Sequence, residues 1–139
     1  MSNIVIVDGD QLIFEKIFGA YTVIPIGATL INGSGEASIN NKKICILGDE
    51  KKVSIKAAYT SPGFPISGDG TITIAALAPD QQAPFATATT PVIVVGSRFT
   101  ALFTPGKPAG NAQSGLEPAP VPSTGSGQFT HSQSFVTAG

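Results

Sequence analysis

Charge is scarce in this chain of 139 residues: charged side chains make up 12% of it, about half the roughly 25% of an ordinary soluble domain. Eight basic and nine acidic residues nearly cancel, leaving a formal net charge of -1. After Asp80 only Arg98, Lys107 and Glu117 carry charge. Binding to nucleic acid draws on a basic face that releases counterions from phosphates, and no basic excess is present to build one. The basic pairs Lys42–Lys43 and Lys51–Lys52 are too few for a polybasic membrane patch. A surface so poor in charge is either a compact Thr/Ser/Gly-rich one or one that assembly hides.

Cysteine occurs once, at Cys45, so an internal disulfide is excluded, and with it the disulfide-stapled secreted class. Tryptophan is absent and tyrosine is limited to Tyr21 and Tyr59, which counts against the exposed aromatic platforms of a carbohydrate-binding module. No run approaches the roughly 20 apolar residues of a membrane-spanning helix. Residues 3–7 are too short for a signal-peptide core and no basic segment precedes them. The expectation is synthesis in the cytoplasm without a signal peptide, with exit from the cell by lysis or a dedicated machine.

Catalytic chemistry is thinly represented. The single histidine, His131, lies in a low-complexity segment, whereas a serine or cysteine nucleophile needs a positioned base. Cys45 sits in an apolar run, where burial raises a thiol's pKa and makes it inert. Asp8 with Asp10, and Asp49 with Glu50, stand at strand ends beside glycine and read as turn residues. Gly33-Ser34-Gly35 lacks the lysine of a phosphate loop, and Gly68-Asp69-Gly70 lacks the further acidic ligands of a calcium loop. Cys45 and His131 alone fall short of the four ligands of a tetrahedral zinc site. No catalytic, cofactor-binding or metal-ligating residue is assigned, and the chain is expected not to be an enzyme.

What is present is a series of short β-rich runs separated by turn residues, which predicts an all-β fold. Strands are expected over 3–7, 21–26, 28–31, 36–39, 43–47, 53–59, 71–77 and 91–95. Residues 98–103 are expected to return as the hairpin partner of 91–95. The segment 11–18 fits a strand or a short apolar helix. Asn32-Gly33 and Asn40-Asn41 are expected hairpin turns, since both tolerate positive φ. Residues 60–70 and 78–90 read as loops. From Thr104 onward Pro, Gly, Ser, Ala and Thr dominate, a composition that buries too little apolar area to order itself. A β domain over 1–104 and an extended tail over 105–139 are therefore expected. That tail is either a disordered linker or an arm anchored on a partner through Phe129, Phe135 and Val136.

The block from Gly27 to Ala83 resembles the PAAR-like proteins that tip the spikes of contractile injection systems. The shared phrases are the strands around Asn32-Gly33 and Asn40-Asn41, then Lys43-Ile44-Cys45-Ile46-Leu47-Gly48-Asp49-Glu50. Val53 to Tyr59, Gly68 to Ile74 and Leu77-Ala78-Pro79-Asp80-Gln81 follow in the same order. Gly125-Ser126-Gly127-Gln128-Phe129 is similar to the tail of the longer tip proteins of extracellular, phage-tail-like particles. The resemblance implies a small cone of short strands and hairpins, seated as a single copy on a trimeric spike protein. It implies a mechanical function: sharpening and capping the spike, piercing a target membrane from outside, and carrying effector cargo. The chain itself is expected to have no threefold symmetry. The histidines that hold zinc in well-known PAAR proteins are missing from the matching region, so the metal site is not carried over. The competing readings are another phage- or capsid-type structural protein and a β-sandwich binding module.

Elemental analysis of the purified protein is expected to find no stoichiometric zinc or iron. About one tightly held metal per chain would overturn this and direct attention to Cys45 and His131.

Overall fold

The structure, a computed structural model, describes residues 4–83, 90–113, 115–118, 120–133 and 136. Among them there is no α-helix. The strands are β1 (Leu12–Phe14), β2 (Ile17–Phe18), β3 (Tyr21–Pro25), β4 (Ser38–Ile39), β5 (Lys42–Lys43), β6 (Ile55–Ser61) and β7 (Phe64–Ala76). They continue with β8 (Gln82–Ala83), β9 (Val92–Ile93), β10 (Phe99–Pro105), β11 (Gly110–Asn111), β12 (Gly115–Leu116) and β13 (Ser123–Phe129). Two 3-10 turns, Asp49–Lys52 and Pro79–Gln81, complete the elements. The all-β expectation holds.

The main sheet runs β1-β13-β10-β7-β6-β3-β2, antiparallel throughout. Its two end strands are consecutive pieces of one segment. The front half of residues 12–18 pairs with β13 and the back half with β3. At the junction the Glu15 amide donates to the Ser126 carbonyl (2.9 Å), and the Val23 amide donates to the Lys16 carbonyl (2.7 Å). The sheet thus curls round and meets itself as a six-stranded up-and-down barrel, which leaves no free edge in its wall. The helical alternative for 11–18 is excluded by this pairing.

Alternation builds the interior. Leu12, Phe18, Tyr21, Val23, Ile55, Ala57, Tyr59, Ile72, Ile74, Phe99, Ala101, Phe103 and Phe129 are buried in one cluster. Near one mouth Tyr59 and Phe103 stack with ring centroids 5.0 Å apart, and Phe18 lies 6.3 Å from Phe103. Rings this large leave no room for side chains on the adjoining strands. A Cβ on Gly70 would lie 2.5 Å from Phe103 Cζ, and one on Gly125 would lie 2.7 Å from Phe18 Cδ2. The glycines are the inward residues at those places.

Several sequence expectations change here. The loop expected over 60–70 is mostly strand, because β6 and β7 are joined by a tight turn at Pro62-Gly63, with Gly63 at φ 82°. No hairpin forms at Asn32-Gly33: the Gly33 amide donates instead to Asp8 Oδ1 at 2.8 Å, and Leu30 bridges to Gln11. Asn40-Asn41 does turn a hairpin, with φ of 52° and 66°, between β4 and β5. β10 is not the partner of the 91–95 run but lies between β7 and β13. Nor does the sheet stop at residue 104. β13 pairs with both β1 and β10 in the barrel wall, with Phe129 buried inside. Its inward positions Gly125 and Gly127 sit under aromatic rings while Thr124 and Gln128 face outward. The period-2 pattern is real but written in glycine. Of the other expected anchors, Val136 packs against a second apolar cluster and Phe135 lies outside the described residues.

A chain ending at Pro122 should lose cooperative urea unfolding, because removing β13 opens the barrel along two ladders at once. Retention of a wild-type transition by the truncated chain would show that the segment is an appendage.

Candidate functional site

Two of the three long connections, with the segments before β1 and after β13, leave the barrel at the same end. Their described residues, 4–11, 26–54, 77–83, 90–98, 130–133 and 136, form a lobe. At its base three short segments, 5–7, 44–46 and 92–94, lie head to tail as the sides of a triangle. The bridges Val7↔Ile44, Ile46↔Val92 and Val5↔Val94 make its corners. Inside, three amides close a ring: Cys45 donates to the Ile6 carbonyl (2.9 Å), Ile6 to Ile93 (3.0 Å), and Ile93 to Cys45 (2.9 Å). Outside, a second cycle has the same sense: Asp8 donates to Lys43 (2.7 Å), Leu47 to Pro91 (2.8 Å), and Val95 to Ile4 (2.9 Å).

The chain has a threefold pseudo-repeat, contrary to the expectation from sequence. Residues 4–10, 43–49 and 91–97 occupy equivalent places. Ile6, Cys45 and Ile93 are the central positions, and all three side chains join the barrel core. Their neighbours Val5, Val7, Ile44, Val92 and Val94 belong instead to a second apolar cluster with Ile39 and Ala83, and Ile46 packs against it. Gly9, Gly48 and Gly96 follow at φ 86°, 110° and 53°, the left-handed region that favours glycine. Each segment then enters a pair of barrel strands and returns through an outer strand that leads into the next segment. Three such units close the barrel. In the third unit the Val5 amide donates to the Val136 carbonyl at 3.2 Å, at the place where the Ile44 amide donates to the Ala37 carbonyl (3.0 Å) around the Asn40-Asn41 turn of the first unit.

A Ser–Asp hydrogen bond pins each unit. Ser132 Oγ donates to Asp10 Oδ1 (2.6 Å) and Ser34 Oγ to Asp49 Oδ1 (2.5 Å). In the third unit the residue types are exchanged: Ser97 Oγ donates to Asp80 Oδ1 (2.8 Å). The second carboxylate oxygens of Asp10 and Asp49 accept the amides of Val7 and Ile46, both at 2.9 Å. Glu50 accepts the Gly48 amide at 2.6 Å. The acidic residues singled out in the sequence are therefore bound to backbone, each satisfying donors at a tight turn.

Cys45 is fully buried on the triangle, where burial and the carboxylates of Asp49, Asp10 and Asp8 push its thiol pKa up. His131 is exposed, with Nδ1 3.0 Å from the Gln133 carbonyl oxygen. The structure does not bring these two residues into one environment. Among the described residues no three or more His, Cys, Asp or Glu side chains gather into a metal site.

The opposite mouth of the barrel breaks the repeat. Two of its three hairpins turn tightly, after β2 and after β6, but the third carries residues 106–122. This insertion lies over the mouth. Tyr59 Oη donates to Glu117 Oε1 (2.7 Å) and accepts the Ala109 amide (3.0 Å). Tyr21 Oη donates to the Val121 carbonyl (2.8 Å), whose amide donates back (3.0 Å). Burial, and then the bond to Glu117, push the Tyr59 phenol up to about 12.

With this geometry in view, the family can be stated. The family model for contractile injection system spike tip proteins matches residues 1–139, the full length, and the chain belongs to that family. No curated protein matches it. The threefold positions were missed in the sequence because only glycine and one acidic or hydroxyl residue recur; aligning the three glycine-terminated apolar runs would have shown them.

Equivalence makes a prediction about Cys45. Because isoleucine fills the matching places, Cys45→Val should cost less than about 1.5 kcal/mol in urea unfolding. Asp10→Ala and Asp49→Ala should each cost about 1–3 kcal/mol, since buried amides lose their acceptors. A larger loss for Cys45→Val than for either aspartate variant would refute a merely space-filling role.

Proposed function

We propose that a single copy of this chain caps a trimeric β-helical spike and sharpens it for mechanical piercing of a target membrane from outside the producing cell. The observation that carries this reading is the threefold ring of Ile6, Cys45 and Ile93, with its three equivalent surrounding segments. A trimer ends in three identical surfaces. A lone asymmetric chain would satisfy one of them, whereas a chain built of three similar units meets all three at once. Such a cap covers the open backbone edges at the end of the spike, which otherwise invite pairing with other chains.

The role proposed is structural and not catalytic. Its support is where the polar groups go: Asp10, Asp49, Asp80 and Glu50 hold turns, and Glu117 holds the insertion. A closed barrel filled with interlocked rings also suits a part that must transmit force along its axis without deforming.

Co-expression with the trimeric spike protein of the same particle should yield a complex of one tip chain per spike trimer, read by native mass spectrometry. A stable homotrimer of this chain with no affinity for a spike would refute the capping role and favour another structural one.

A further inference from the structure

We infer that the lobe end, and not the barrel mouth, is the face that sits on the spike, with the mouth as the outward point. This rests on the capping role proposed above and adds the surface that performs it.

Symmetry separates the two ends. At the lobe the outer segments repeat. β4 pairs with β5, β8 pairs with β9, and in the third unit the Val136 carbonyl accepts the Val5 amide at the matching place. Among the described residues β4 and β8 each have a neighbour on one side only. The lobe therefore offers backbone edges at places related by the pseudo-threefold axis, the form in which strands add to an existing sheet. The apolar cluster behind them is incompletely covered, since Ala37, Ile46 and Val136 are only partly buried. Edges placed about a pseudo-threefold axis, with one axial apolar cluster, fit the three chain ends and apolar core of a trimeric β-helix.

The mouth offers no such match. The 106–122 insertion belongs to one unit of three and covers the opening asymmetrically, so a trimer docked there would find one protomer's contact and not the other two. The insertion also does what a partner would do. Gly110 pairs with Ile66, Lys107 donates its amide to Asp69 Oδ1 (2.8 Å), and Glu117 and Val121 are tied to Tyr59 and Tyr21. An end sealed by its own chain has no need of a spike to seal it. Ile66, Leu116 and Val121, exposed around this rim, are the competing docking surface.

The test is thiol labelling of two single substitutions, Lys42→Cys in the lobe and Lys107→Cys at the mouth. Both positions are exposed, while native Cys45 is buried. Variants are first shown to unfold at the wild-type urea midpoint, and then labelled with a maleimide alone and within assembled particles. Assembly is expected to slow labelling at Lys42→Cys at least tenfold and to leave Lys107→Cys unchanged. Protection at Lys107→Cys, or equal labelling at both positions in a chain that still co-purifies with the spike, overturns the assignment of ends. Failure of the wild-type chain to co-purify with a spike overturns the capping role itself.

Discussion

Three backbone hydrogen bonds, among Ile6, Cys45 and Ile93, are the constraint on which the rest of this molecule depends. They join residues 39, 48 and 87 positions apart in sequence, so loop closure must be offset before the ring yields anything. None of the three segments is long enough to be a stable strand alone. What stabilises the ring is its two faces. The central side chains complete the floor of the barrel, and the flanking ones nucleate the lobe. Each fully buried aliphatic side chain contributes roughly 1.5–3 kcal/mol.

The barrel imposes the complementary requirement. Its six strands close only because residues 12–18 divide their pairing between β13 and β3. Its interior is narrow enough that large rings must face glycine. Phe18 over Gly125, Phe99 over Gly127 and Phe103 over Gly70 are three instances of one packing rule. The ring atoms fill the space that paired side chains would otherwise share. Rings and glycines are interdependent, and a side chain added at Gly125 or Gly70 meets a neighbour that has nowhere to move.

Symmetry and its violation give the molecule two unlike ends. The triangle and the Ser–Asp bonds repeat three times, with residue types exchanged between Asp80–Ser97 and the other two pairs. The exchange shows that the bond is retained while the residue on either side is free to vary. The insertion over the mouth occurs once, held by a tyrosine pair that also belongs to the barrel core, with Tyr21 and Tyr59 rings 5.0 Å apart. On the capping role proposed above, the end that faces a trimer needs the repeat, and at the other end a single chain can finish its own surface.

The sequence by itself determined the all-β class, the Asn40-Asn41 turn, the burial of Cys45 and the turn-making use of Asp10, Asp49 and Glu50. These follow from local chemistry: alternation, tolerance of positive φ, and carboxylates beside glycine. Tertiary structure alone decided that residues 64–70 and 123–129 are barrel strands. Their inward positions are glycines whose apolar partners, Phe103 and Phe18, lie far away in sequence, so no local pattern marks them. It also decided that residues 92–93 pair with β8 and that 92 and 94 bridge to residues 46 and 5, while β10 takes its place in the barrel wall between β7 and β13. The threefold ring was present as three short apolar runs ending in glycine. Only when the barrel brings those runs to one axis do they become a site, because a head-to-tail ring has no single strand long enough to announce it.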